Sequence, residues 1–70
     1  MRYAVVIEKA QQNYSAYVPD LPGCIATGEC VVGVQQSMRE AIELHLQGMR
    51  KDGMPFPQPS SQVGYVDVAA

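Results

Sequence analysis

This 70-residue sequence has little in it that reacts. There is one histidine, His45, which leaves a zinc site without a second imidazole. There are two cysteines, Cys24 and Cys30, at a spacing that is neither a CxxC redox motif nor a metal pair. Both thiols therefore read as small hydrophobes, buried or half-buried. Glycine-rich phosphate cradles are absent, because Gly28, Gly33 and Gly48 each stand alone. No serine is marked as activated by a neighbouring base. Charged residues are scarce, at 17%, and the formal net charge of −2 has the wrong sign for a phosphate backbone. Arg2 leads into only a short apolar stretch before Glu8, too short for a secretory leader. No apolar run approaches the roughly 20 residues that span a bilayer. These absences read as a cytoplasmic protein with no membrane attachment, no metal, no cofactor and no enzymatic activity.

What is present is apolar surface. Hydrophobic residues make up 47% of a chain small enough to form one domain over residues 1–70. A domain of this size has a small core and is marginally stable alone, so oligomerisation is the expected supplement. The surplus apolar side chains are expected at a subunit or partner interface.

Arg2–Lys9 reads as a first strand, with Tyr3, Val5 and Ile7 on one face and Ala4, Val6 and Glu8 on the other. A polar connection, Ala10–Asn13, leads to a second strand over Tyr14–Val18. Pro19 and Pro22 then fix φ and remove two backbone donors, and Gly23 accepts positive φ. Asp20 and Leu21 are expected to be presented between the prolines, on a stiff loop that loses little entropy when it binds. Cys24–Glu29 is a short third strand. From Val31 the period changes, and Val34, Met38, Ala41, Ile42, His45, Leu46 and Met49 form one apolar stripe. Arg50, Lys51, Gly53 and Pro55 mark the helix end near Asp52. The helix start is weakly marked. Cys30 is a poor N-cap by chemistry, and Glu29 and Thr27 are the other candidates. A proline-rich exit, Met54–Ser61, returns the chain to the sheet with Phe56 pinning it, and Gln62–Val68 reads as a last strand.

The expected fold is α+β, in the order β-β-β-α-β. It is an antiparallel three-stranded meander plus a final strand, with one helix on one sheet face. His45 lies within the apolar stripe and reads as a packed core residue. Leu44 lies well off the stripe. The uncovered sheet face invites a second copy or a partner.

Tyr14-x-Ala16-Tyr17-x-Pro19-Asp20-Leu21-Pro22-Gly23-Cys24, then Gly28-Glu29, then Met38–Leu46, then Gly53-x-Pro55-x-Pro57-x-Pro59-Ser60, together resemble the HicB-like antitoxin family. The resemblance runs in order along nearly the whole chain. It implies a truncated ribonuclease-H-like sheet with one helix. It also implies binding of a HicA-type toxin, a small basic endoribonuclease with a double-stranded-RNA-binding-like fold. Many family members carry a C-terminal DNA-binding segment. Because this sequence stops at Ala70, the expectation is toxin binding without autonomous DNA binding. The departure is at the helix start, where Cys30–Val34 replaces a threonine cap and an acidic, alanine-containing first turn.

On this reading the chain is an antitoxin-like module that self-associates, as a dimer or tetramer, and neutralises its toxin sterically. The alternative is a homo-oligomeric structural or small-ligand-binding module with no toxin partner. The partner-binding candidates are Asp20, Leu21, Pro22 and Gly23, with the acidic group standing where an RNA phosphate otherwise sits. The oligomer-interface candidates are Leu44, Val66 and Val68. A ribonuclease-H-like sheet raises the question of metal-dependent hydrolysis, which needs several converging carboxylates. Glu8 and Asp67 would supply two at best, if the first and last strands pair.

Overall fold

In the computed structural model, which describes residues 1–70, the elements run β1 (Val6–Lys9), β2 (Tyr14–Tyr17), β3 (Ile25–Gly28) and α1 (Val31–Lys51). The strands form an antiparallel meander in the order β1-β2-β3. Ile7, Ala16 and Ala26 stand opposite one another on the face that packs towards α1. Val6, Tyr17 and Ile25 make the matching row on the outer face.

The helix packs over β3 and β2. The fully buried residues are few: Ala16, Val18, Leu21 and Cys24 from the sheet and its corner, and Val34 and Met38 from α1. Ala41, Ile42 and Leu46 extend this core along the expected helical stripe. Gly28 sets how closely β3 and α1 approach. A Cβ there would lie 2.6 Å from the Val34 backbone nitrogen, a distance only a residue without a side chain tolerates.

The helix start answers a question that local chemistry left open. Cys30 is the N-cap, in an extended conformation, and its Sγ accepts a hydrogen bond from the Gly33 amide at 3.3 Å. Thiol sulfur thus takes the part usually played by a hydroxyl or carboxylate oxygen. No acidic residue lies in the first turn. The other end is a Schellman motif. Gly53, at φ 72°, donates to the Arg50 carbonyl at 3.1 Å, and Met54 donates to the Met49 carbonyl at 2.8 Å.

Two expected strands differ from their sequence reading. β1 pairs only over Val6–Lys9, because β2 gives out at Tyr17. Val18 turns its amide to the Cys24 carbonyl, at 3.2 Å, and Pro19 has no amide to give, so residues 2–5 have no ladder partner. The final strand over 62–68 is not formed. None of its backbone groups joins a backbone–backbone hydrogen bond, and the single chain has the order β-β-β-α. Three prolines, at 55, 57 and 59, supply no amides to a ladder, and beyond Ser61 the segment is exposed, its first residues passing beside Val5–Ile7 without joining the sheet.

Candidate functional site

The corner after β2 is two consecutive turns that share Leu21. The Leu21 amide donates to the Val18 carbonyl at 3.1 Å, and the Cys24 amide donates to the Leu21 carbonyl at 3.1 Å. Pro19 leads the first turn. Pro22 leads the second, followed by Gly23 at φ 83°, which is the pattern of a type II turn.

This geometry sorts the four expected contact residues into two kinds. Leu21 is not presented at all: it is 0% exposed and plugs the core beneath the corner. An apolar side chain at the junction of two turns gains more from burial than from solvent, and the tight backbone points it inward. Asp20 is not free either. Its Oδ2 accepts from the Ser60 and Ser61 amides, each at 3.0 Å, and its Oδ1 accepts from the Ser60 hydroxyl at 3.0 Å and the Ser61 hydroxyl at 2.9 Å. These donors, the Ser61 amide foremost, hold the Asp20 carboxyl down at about 2. Pro22 and Gly23 are left as the exposed tip.

The same clasp organises the N-terminal stretch. The Tyr3 hydroxyl donates to the Pro57 carbonyl at 2.6 Å, and burial, helped by the nearby Asp20 charge, pushes its phenol pKa up. Phe56 is half-buried, with the Arg50 guanidinium 5.6 Å from its ring centroid, so the exit is pinned to the helix as well. Sequence reasoning did not find Ser60 and Ser61. A signal was present: two residues with both amide and hydroxyl donors follow directly on a run whose prolines supply no amides.

Two further surfaces frame the site. On the outer face, Tyr17 and Ile25 are opposite each other and both exposed, next to Val6. On the inner face, α1 leaves the β1 side uncovered. There an open groove of about 1140 Å³ runs between residues 1–5, α1 and the exit segment. Of the three oligomer-interface candidates, Leu44 lies on α1 at 68% exposure, away from the core stripe. Val66 and Val68 are exposed on the C-terminal segment, far from Leu44 in sequence and element. His45 is half-buried on α1. No three His, Cys, Asp or Glu side chains come close enough together to hold a metal ion. Glu8 and Asp67 are not paired through their strands, since only Glu8 lies in the sheet.

With this geometry in place, the match to known proteins is specific. Residues 3–68 match the family described as the HicB-like antitoxin of bacterial toxin–antitoxin systems. The chain belongs to the HicB-like antitoxin family. A UPF0150 protein of Helicobacter pylori is 34% identical over 65 residues, covering 91% of this chain and 90% of its own. A UPF0150 protein of Archaeoglobus fulgidus is 40% identical over 48 residues, covering 67% of this chain and 70% of its own. A 14.9 kDa protein from the rep–hol intergenic region of Haemophilus phage HP1 is 33% identical over 67 residues, and the chain spans only 50% of that relative. Among solved structures, a chain of a HicA3 and HicB3 toxin–antitoxin complex superposes with a TM-score of 0.73 at 27% identity, covering 86% of this chain and 70% of that one. The α+β meander with one helix is thus the HicB-like fold. No helix of this HicB-like chain is long and apolar enough to cross a membrane.

Proposed function

We propose that this chain is an antitoxin that neutralises a small basic HicA-type toxin ribonuclease by covering its RNA-binding face. The observation that carries the reading is the superposition, over most of the chain, on a member of a HicA3–HicB3 complex. The corner and sheet support it. The Pro22–Gly23 tip is exposed, yet Leu21 and the Asp20 clasp anchor it from below, so it docks with little loss of conformational freedom. A net charge of −2 favours encounter with a basic partner. Asp20, whose carboxylate stays ionised far below neutral pH, adds its charge close behind the tip. The chain binds rather than catalyses, works as one domain in the reducing cytoplasm where Cys24 and Cys30 stay thiols, and self-associates as a dimer or tetramer. Its ribonuclease-H-like sheet is complete only when a fourth strand joins it.

A second reading is a self-associating module without a toxin. The helix start favours it, because no acidic residue lies in the first turn. Native mass spectrometry on the chain purified gently from its own cytoplasm separates the two. A stoichiometric small basic protein in the complex, with ribonuclease activity once released, supports the antitoxin. A bare homo-oligomer refutes it in favour of the second reading.

A further inference from the structure

We propose that two copies of this chain exchange strands, with Gln62–Val68 of each copy adding to the free backbone edge at Arg2–Val5 of the other. The proposal rests on the self-association proposed above and says how it is built.

Two stretches have strand-like sequence and no partner. Neither residues 2–5 nor residues 62–68 contribute a group to any backbone–backbone hydrogen bond. Unpaired amides and carbonyls along an extended edge are a template for another strand, and proteins that leave such an edge bare usually blunt it with proline or lysine. Here neither residue occurs in either stretch.

The segment also carries apolar side chains that nothing covers. Tyr65, Val66 and Val68 are 93%, 85% and 77% exposed. The molecule is also elongated: its longest dimension is 48 Å, whereas a helix of 21 residues spans only about 32 Å. The Cα radius of gyration, 13.7 Å, likewise exceeds the roughly 11 Å of a compact chain of this length.

The receiving edge is matched to that cargo. It borders the open groove, whose apolar walls include Tyr3, Val5, Ile7, Ile42, Leu46 and Phe56. Gln62 and Val63 reach the rim of this groove in their own chain, and Gly64 and Tyr65 pass beside Val5–Ile7 without a backbone hydrogen bond. Exchange thus substitutes the same segment of a second copy for a neighbour that is near but not laddered. Arg2 is the one cation of the edge, and Asp67 is the one anion of the segment. Because one chain carries both the donor strand and the acceptor edge, the fitting occupant is a second copy. A twofold axis then satisfies both sites at once and closes the assembly.

The test uses the full chain with Cys30→Ser, which removes the exposed thiol and leaves Cys24 buried. Chains carrying Arg2→Cys and chains carrying Asp67→Cys are co-expressed, sized, and treated with a short bis-maleimide. Exchange predicts a dimer in which about half of the molecules, the statistical share of mixed pairs, become covalently linked. Arg2→Cys chains alone and Asp67→Cys chains alone stay unlinked. A dimer that does not cross-link overturns strand exchange and leaves self-association standing on another surface. A monomer overturns both. A chain carrying both substitutions that cross-links only within itself shows that the segment folds back on its own edge, which also overturns the proposal.

Discussion

Asp20 and Ser61 lie 41 residues apart, and one carboxylate receives both the amide and the hydroxyl of that serine, at 3.0 and 2.9 Å. Ser60 repeats the arrangement, so the corner after β2 and the exit from α1 are joined through a single side chain.

Acid should open this clasp before it unfolds the domain. The folded Asp20 carboxyl sits at about 2, below the ordinary 3.8, so its contribution is fully present above that ordinary value and is lost as pH falls towards 2. Amide NMR signals of Ser60 and Ser61 should shift in that window, while those of Ala16 and Met38 hold. Asp20→Asn should reproduce the shift at neutral pH. Unchanged Ser60 and Ser61 signals in that variant would remove the clasp from the picture.

Two glycines should respond to alanine with opposite signs. At Gly28 the new methyl meets the Val34 backbone at 2.6 Å, and backbone cannot step aside cheaply. We expect Gly28→Ala to cost about 1–3 kcal/mol as overpacking. Gly48 has nothing within 4 Å of the added Cβ and lies inside α1, so Gly48→Ala should gain about 0.5–1 kcal/mol. Denaturant midpoints measure both.

Cys30→Ser should stabilise the protein by up to about 1 kcal/mol, since a hydroxyl is the better N-cap acceptor. The two thiols should also label at different rates. Cys30 is exposed, while burial both shields Cys24 and raises its thiol pKa. Timed alkylation of the native protein should therefore give one fast adduct, at Cys30.

The corner separates folding from recognition. Leu21→Ala empties a fully buried site and should cost about 2–5 kcal/mol, read as a lower thermal midpoint. Pro22→Lys adds positive charge at the exposed tip; it should cost only about 0.4–1 kcal/mol for the lost ring, well below the Leu21→Ala loss, while slowing association with a basic ribonuclease partner. Equal association rates with and without the lysine would take the tip out of the docking surface.

The meander, the helix with its C-terminal cap and the apolar stripe were legible in the sequence because each rests on local chemistry. A glycine followed two residues on by a proline, as Gly53 is by Pro55, is a local stop signal for a helix, and the stripe from Val34 to Met49 needs only helical spacing. The rest depended on distant partners. Residues 2–5 and 62–68 have strand-like composition, but composition does not say whether an edge lies within reach. Leu21 and Asp20 were legible as a rigid corner. Which of them faces solvent was decided by the core beneath one and by two serines forty residues away from the other. Cys30 was a weak cap on general grounds and still caps, because Gly33 leaves room for its sulfur.

The shared role of Leu21 in two successive turns bears on how such a chain can diversify. One residue inserted or lost between Val18 and Cys24 would rotate the plug out of the core and break the ring closed by those two residues. Substitution at the outward Pro22 moves neither, whereas Gly23 is held by the positive φ of its turn. The core thus constrains loop length and leaves the chemistry of position 22 open, so new partner preferences can arise by exchanging letters without altering the frame that displays them.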